Sequence, residues 1–346
     1  MMYILYMMKE VEKMNVLLTS VGRRGYLVEF FKQIAGCKVY VANSHKTHVF
    51  AMADESVVTP LIYSGKYIDF LLDYCVENQI DAIISLFDVD LMMLAKNKYK
   101  FEEKNIKVIV SDEKVIDICN DKWNTYKFLE ENGFKTPKTF LDTDEVVREI
   151  SKGNIDYPLI IKPRWGMGSI GVFVAENEEE LYVFYNKVKR TIEDSYLIYE
   201  SRENFEDAVI IQEMLNGDEY GMDVINDLDG NYKSTVIRKK LAMRNGETDI
   251  AEIAENKAIY DISVKVGNVL GHIGNLDCDV FLVDGEPFVL EMNARFGGGY
   301  PFGHIAGVNL PLAIIKWLNG EDVEDNMLRA TVGVKAYKNI QLVIEE

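Results

Sequence analysis

From Met14 onward the chain alternates between short continuous apolar runs and stretches with helical spacing. Within "NVLLTS", Val16, Leu17 and Leu18 form a continuous apolar run, the pattern of a strand buried on both faces of a parallel sheet. A glycine turn, "VGRRG", separates it from the helically patterned "YLVEFFKQIAG", which Gly36 closes. "KVYVANS" predicts a second strand, "YIDFLLDYCVENQ" a helix, "IDAIISLFDVD" a strand ending in acidic residues, and "IKVIVSD" another strand. Strands alternating with helices predict a doubly wound α/β unit up to about residue 117.

The pattern then changes. "NDKWNTYKFLEENGFKTPKTF" predicts a helix capped by Asn120 or Asp121, stopped by Gly133 and followed by Pro137. "YPLIIKPRWGMGSIGVFVA" reads as strand, glycine-rich loop, strand. "AVIIQEMLNGDEYGMDVIND" reads as strand, turn at Asn216-Gly217, strand, and "KSTVIRKKLAMRNGET" as a further strand with basic positions. The hairpin "DVFLVDGEPFVLEMN" turns at Asp284-Gly285, and "LPLAIIKWLNG" is a last helix. No internal repeat interrupts this order. The second part predicts α+β lobes added to the α/β unit.

Composition narrows the classes. With 346 residues, 48% of them hydrophobic, and a mean hydropathy of −0.07, the chain reads as soluble and globular, with room for two or three structural units. The opening "MMYILYMMKEVEKMNVLLTS" fails as a signal peptide: its apolar run is short, precedes the charges and lacks a small-residue cleavage site. Met14 is the candidate natural start, with residues 1–13 an extension. No stretch approaches the roughly 20 apolar residues of a membrane span. A net charge of −18 argues against a broad nucleic-acid surface but leaves room for one small anion in a local basic pocket. Cys37, Cys75, Cys119 and Cys278 show no CxxC pairing and read as reduced, mostly buried thiols of a cytoplasmic protein. Four histidines without HExxH-like spacing argue against a histidine metal centre.

Three places carry candidate chemistry. In "IIKPRWGMGSIGV", Lys162 ends an apolar strand beside Gly166, Gly168, Ser169 and Gly171. Such a loop lets backbone N–H groups approach phosphate oxygens while the ammonium supplies charge, though a plain hairpin turn fits the same residues. The lysine precedes the glycines, so this is not the Walker pattern. Along "DVFLVDGEPFVLEMN", period-2 alternation puts Asp279 on one face of the first arm and Glu291 and Asn293 on one face of the second, with Asp279 pairing near Glu291. Carboxylates gathered there with no lysine among them would repel if buried, which points to a hard divalent cation; Asp277 is the alternative ligand. Arg295, two positions on, is placed to meet phosphate as a fork donor. The third place is the carboxyl edge of the predicted parallel sheet, where the turn from Gly22 to Gly25, Asp88 and Asp90 are candidate pocket elements. The turn lacks the full G-x-G-x-x-G spacing, and the two aspartates read equally as a helix start.

"NDK" at 120–122, "IIKPRWGMGSIGV", "IIQEMLNGDEYGMDV" and "DVFLVDGEPFVLEMNARFGGG", in that order, resemble the motifs of ATP-grasp enzymes, and the chain is similar to the single-module proteins described as carbamoyl-phosphate-synthetase-like. The resemblance runs from Met14 to about Gly320. It implies a fold of α/β plus α+β type: a pre-ATP-grasp, Rossmann-like N-terminal domain over 1–117, followed by a two-lobed ATP-grasp module. Its small lobe, with a linker helix, would cover 118–213 and its large lobe, with the metal site, 214–346. Carried over residue by residue, Lys122 and Lys162 would contact the nucleotide phosphates, with Gly168 and Ser169 in the covering loop. Glu213 and Leu215 would offer backbone groups to adenine, and Glu219 would bond the ribose hydroxyls. Asp279, Glu291 and Asn293 match magnesium ligands, with Mn²⁺ as a substitute, and Arg295 matches the arginine beside the transferred phosphate. Lys240 and Arg244 are candidates for neutralising the γ-phosphate or a substrate carboxylate, while Arg238 and Lys239 read as surface positions. The loop from Gly297 to His304 is a candidate second-substrate loop.

The implied activity is ATP-dependent joining of a small carboxylate to a small amine through an acyl phosphate. Neither nucleic acid nor membrane is involved, and the resemblance allows a homodimer through the first domain. Carbamoyl phosphate synthesis uses two such halves in tandem, whereas one motif set is present here. A non-catalytic nucleotide-binding regulator would be expected to have lost metal or phosphate residues that this chain retains.

Overall fold

The computed structural model describes residues 13–166, 168–244, 246–340 and 342–344. The candidate N-terminal extension therefore lies, except for Lys13, outside the described residues. The chain divides into two compact units. One runs to Ser111 and includes Asn309–Leu328 and the residues from Ile340; the other is Asp112–Val308 with Arg329–Asn339.

In the first unit β1 (Met14–Thr19), β2 (Cys37–Asn43), β3 (Glu55–Val58), β4 (Ala82–Ser85) and β5 (Lys107–Ile109) form a parallel sheet in the order β3-β2-β1-β4-β5. Val16, Leu17 and Leu18 of β1 are fully enclosed, as its continuous apolar run requires. Three helices make the crossovers: α1 (Gly25–Lys32), α2 (Tyr67–Glu77) and α3 (Asp88–Glu102). The strand order reverses beside β1, the position at which open α/β sheets leave a crevice. Ser20 and Gly22, directly after β1, both take positive φ, 52° and 51°, and turn the chain sharply at that edge.

The expected strand ending in acidic residues stops short of them. β4 ends at Ser85, and Asp88 and Asp90 open the first turn of α3, where carboxylates favour the positive end of the helix dipole. Asp90 is fully buried and accepts hydrogen bonds from Thr19 (2.7 Å), Ser20 (2.8 Å), Tyr67 (2.9 Å) and Ser85. It is a hydrogen-bond hub tying β1, α2 and β4 to α3, and not a pocket wall.

The second unit opens with α4 (Glu113–Asn120) and α5 (Lys122–Glu131). Asp121 caps α5, its carboxylate accepting from the backbone of Trp123 (2.9 Å) and Asn124 (3.3 Å). A four-stranded antiparallel sheet follows: β6 (Thr139–Phe140), β7 (Leu159–Pro163), β8 (Phe173–Ala175) and β9 (Val209–Glu213), in the order β6-β9-β7-β8. Helices α6 (Thr143–Ser151), α7 (Glu178–Glu193) and α8 (Ile198–Ser201) accompany it, and Val146, Leu159, Ile161, Leu181, Val188 and Ile211 belong to its apolar core.

A six-stranded antiparallel sheet completes the unit. Its strands are β10 (Asp218–Asn226), β11 (Tyr232–Arg244), β12 (Glu247–Ile253), β13 (Gly274–Val283), β14 (Glu286–Asn293) and β15 (Lys335–Tyr337), in the order β14-β13-β10-β11-β12-β15. Helix α9 (Lys257–Leu270) connects β12 to β13, and the short α10 (Tyr300–Ile305) follows the triple glycine. Helix α11 (Leu310–Leu318) belongs to the first unit. The strands on either side of Asn216-Gly217 lie in different sheets, so that turn is a crossover and not a hairpin. Met222, Val224, Leu276, Cys278, Val280 and Met292 are buried on one side of the six-stranded sheet. Period 2 then leaves the other side to the residues between them.

Candidate active site

That other side is polar across four strands, and register assembles it. Gly221 of β10 pairs with Arg238 of β11 on one flank and with Asp279 of β13 on the other, and Asp279 pairs with Glu291 of β14. One step along, Asp223 pairs with Asp277, and Asp277 with Asn293. The expected pairing of Asp279 with Glu291 is the observed one.

The expectation that no lysine stands among these carboxylates is overturned. Lys240 of β11 donates to Glu219 and to Asp279, at 2.6 Å each. Lys122, the first residue of α5, lies 3.3 Å from Glu291 Oε1 and donates to the Gly166 carbonyl at 2.5 Å. Both ammonium groups come from elements outside the hairpin, which the alternation of one hairpin cannot bring in. Burial pushes the Asp279 carboxyl above its ordinary range despite Lys240. Burial acts the same way on Glu291, but Lys122 and Lys162 outweigh it and hold that carboxyl below its ordinary value. Burial lowers the Lys162 ammonium to about 8, against the pull of Glu291.

The glycine loop lies between the antiparallel β7 and β8. Gly168 and Ser169 both have left-handed backbone, φ 67° and 59°. Ser169 packs against the tip of the β11–β12 hairpin so closely that a Cβ on Gly246 would sit 2.6 Å from its Oγ. Glu213 ends β9, its backbone N–H donating to the Lys138 carbonyl at 2.9 Å, and Leu215 lies half-buried in the crossover to β10.

Some predicted residues are not where the pattern put them. Arg238 is enclosed, 1% exposed, and not a surface position; it pairs with Asp223 and, at 2.5 Å, with Asp277. Lys239, its neighbour, points to the other side and is half-exposed, pairing with Asp218 at 2.6 Å. Asp277 meets an arginine at each oxygen, Arg238 at 2.5 Å and Arg295 at 3.3 Å. Arg244 stands apart from the carboxylate face, bonded to Asp249 and to the Lys338 carbonyl. Two register shifts between Lys240 and Met243 break the alternation that would have kept it in line with Lys240. His304 Nδ1 meets the Tyr300 hydroxyl at 3.2 Å.

One functional neighbour was not singled out from sequence. Arg164 makes a bidentate pair with Asp121, at 2.7 and 2.6 Å, and stacks on Trp165. The Arg164 carbonyl also accepts from the Lys122 backbone at 3.2 Å. An arginine two residues after Lys162 and an acidic helix cap are the only signals for this pair that the sequence offers.

Among the described residues no group of three or more His, Cys, Asp or Glu side chains is placed to hold a metal. Two carboxylates and an amide oxygen remain, a hard-oxygen set too small for a closed cage. Such a set suits Mg²⁺, which keeps several positions for water and phosphate oxygens. No helix among the described residues is long and apolar enough to cross a membrane.

Residues 119–299 match the ATP-grasp domain family, and the protein belongs to it. Residues 16–109 match the PylC-like N-terminal domain. Among curated relatives, the carbamoyl phosphate synthase arginine-specific large chain of Geobacillus stearothermophilus is 24% identical over 309 residues, 86% of this chain but 27% of that one. The D-alanine–D-alanine ligase of Fusobacterium nucleatum is 27% identical over 190 residues, 52% of this chain and 58% of the ligase. The chain thus spans about a quarter of the synthase and somewhat over half of the ligase. Among solved structures, the L-amino acid ligase from Bacillus licheniformis matches with a TM-score of 0.66 at 20% identity, covering 92% of this chain and 78% of that one. The biotin carboxylase domain dimer of the Hydrogenobacter thermophilus 2-oxoglutarate carboxylase, in complex with MgADP, ADP and bicarbonate, matches with a TM-score of 0.70 at 18% identity, covering 89% and 70%. At such identities the structures speak for the fold.

Proposed function

We propose that this protein is an ATP-dependent carboxylate–amine ligase acting on two small molecules. The observation that carries the reading is the charge arrangement on one sheet face: Asp279 paired with Glu291 across the hairpin, with Lys122 and Lys240 each on one of them. Membership of the ATP-grasp family supports it, as do the ligases and carboxylases to which the chain is similar.

In this reading a substrate carboxylate oxygen attacks the γ-phosphorus of ATP, the bond to ADP breaks, and an acyl phosphate forms. The amine nitrogen then attacks the acyl carbon, phosphate leaves, and the nitrogen gives up a proton. Such chemistry needs no protein nucleophile; positioning and charge are the demands. Lys122 and Lys162 serve the phosphates, and Gly168 and Ser169 cover them. Backbone groups of Glu213 and Leu215 receive the adenine, and Glu219 the ribose. Asp279, Glu291 and Asn293 would hold Mg²⁺, which when bound offsets phosphate charge. Arg295 meets the transferred phosphate, Lys240 serves the same phosphate or the substrate carboxylate, and Arg244 sits at the rim. Closure of the glycine loop excludes water from the acyl phosphate. A homodimer is part of the proposal, supported by the dimeric carboxylase domain named above; sedimentation velocity tests it, and a monomer at micromolar concentration would remove it.

ADP release from Mg·ATP, measured against pooled amino acids, amino sugars and small carboxylates, tests the activity. A stimulating pool should yield a product lighter by one water than its two parents. ATP binding with no stimulation by any pool would instead favour a nucleotide-binding regulator. Glu291→Gln should reduce ADP release by about a hundredfold or more while leaving the melting temperature within a few degrees, as expected for loss of a charge that matters in phosphoryl transfer. Turnover like the wild type in that variant would sink the metal assignment.

A further inference from the structure

We propose that Arg238, acting through Asp277, is the positioning residue for Arg295 and for the triple-glycine loop. It would set where the Arg295 guanidinium meets the terminal phosphate of ATP. The inference rests on the ligase reading, in which Arg295 faces that phosphate.

Arg238 heads the fully buried side chains of the protein by size among the described residues. Enclosing a guanidinium costs several kcal/mol unless its donors are met, and an apolar replacement of a buried ion network is often as stable. Stability alone is therefore a weak reason for an arginine here. Its contacts supply a better one. One side of the fork meets Asp223 and the other meets Asp277 Oδ1 at 2.5 Å, while Asp277 Oδ2 lies 3.3 Å from Arg295. Asp277 is thus a carboxylate shared by two arginines, one enclosed and paired on both sides of its fork, the other on the chain leading into the loop.

The glycines give an independent observation. A Cβ on Gly299 would fall 2.1 Å from Arg238 Nε, one on Gly297 2.1 Å from Asp277 Cγ, and one on Gly221 2.8 Å from Arg238 Nε. Gly299 has φ −85° and ψ −18°, a conformation alanine adopts freely. Glycine is needed there because the loop lies directly on the guanidinium. Since Gly297 follows Arg295 by two residues, the loop and the arginine are seated together on the Arg238–Asp277 pair.

The test reads how the protein distinguishes ATP from ADP, which needs no knowledge of the second substrate. Calorimetric titration of the whole chain with Mg·ADP and with the non-hydrolysable Mg·AMPPNP is made for wild type, Gly299→Ala, Arg238→Lys, Arg295→Ala, and Gly299→Ala combined with Arg295→Ala. Arg238→Lys keeps the charge and loses the two-pronged fork. Both Gly299→Ala and Arg238→Lys should keep the ADP affinity within about twofold while AMPPNP binding weakens about tenfold, the scale of one charge-assisted hydrogen bond. With Arg295 already replaced, Gly299→Ala should change neither affinity, because its effect passes through that arginine. Should Arg238→Lys fail to fold, the Gly299→Ala pair decides alone. An unchanged preference in Gly299→Ala, an equal loss for both nucleotides, or a further loss in the Arg295→Ala background overturns the inference. A wild type that binds neither nucleotide overturns the ligase reading itself. Nucleotide binding indifferent to Arg295→Ala leaves the ligase reading standing and removes the positioning role.

Discussion

Lys162 is enclosed at the end of β7, and burial brings its ammonium to about 8. Only the protonated form attracts phosphate, and a bound phosphate would raise that pKa again, so nucleotide binding takes up a proton. Below pH 8 the proton is already present; above it, each binding event must supply one. Affinity for Mg·ADP should therefore fall by about tenfold between pH 7 and pH 9, the limit set by one titrating group. Lys162→Met should bind more weakly at pH 7 and show a flat profile over the same range, measured by calorimetry. A wild-type affinity independent of pH would place this lysine away from the phosphates. At this scale the sequence was informative about residue type and poor on company. Lys162, Asp279 and Glu291 were identifiable from their positions on strands, yet Lys240 beside Asp279 and Arg238 beneath the loop follow only from pairing β11 through β10 to β13, strands far apart in the chain.

The N-terminus of α5 couples three elements. Asp121 caps the helix, pairs with Arg164 just past β7, and precedes Lys122, whose side chain reaches both the Gly166 carbonyl and Glu291. Asp121→Ala would strand a buried guanidinium at a cost of about 3–5 kcal/mol and remove a helix cap worth about 1 kcal/mol. Asp121→Asn is the gentler probe, since an asparagine oxygen still caps the helix. It should lower the melting temperature by several degrees and weaken ADP binding about tenfold, a figure expected for the loss of one well-placed charged contact. Unaltered nucleotide binding would mean that Lys122 does not depend on the pair for its position. The cap, the glycine loop and the β13–β14 register were legible because each is local: a carboxylate before a helix, glycines between two apolar runs, an Asp-Gly turn. The register shifts after Lys240 and the crossover at Asn216-Gly217 were not, since tertiary pairing decides both.

For the whole molecule, a buried histidine in the second unit contributes to acid sensitivity. His272 is fully buried, its Nε2 3.0 Å from the Val224 carbonyl, and burial lowers its pKa to about 4. Between an unfolded value of about 6.5 and the folded value, the unfolded chain binds a proton that the native state refuses. Its contribution to stability is therefore intact above pH 6.5 and declines as the pH falls toward 4, by about 1.4 kcal/mol per unit. His272→Gln retains a donor for Val224 and cannot titrate. Its melting temperature should vary less than the wild type's between pH 6.5 and 4.5, by scanning calorimetry; parallel curves would exclude the histidine as the cause. The division into a parallel unit and an antiparallel unit was visible in the change of pattern. The three-residue β15 and the membership of α11 in the first unit were not, because both depend on contacts with segments well removed along the chain.

The contact of Arg238 with Gly221 and Gly299 also bears on inheritance. While the arginine is present, positions 221 and 299 cannot gain a side chain without a collision, although the backbone of 299 would accept one. A lineage that exchanged Arg238 for a short residue would release both at once, and a lineage that first acquired alanine at 299 would be barred from regaining the arginine. Descendants should therefore fall into two groups, one keeping arginine with glycines and one free of both, with few intermediates. The order in which these three substitutions arose would then be readable from the tree.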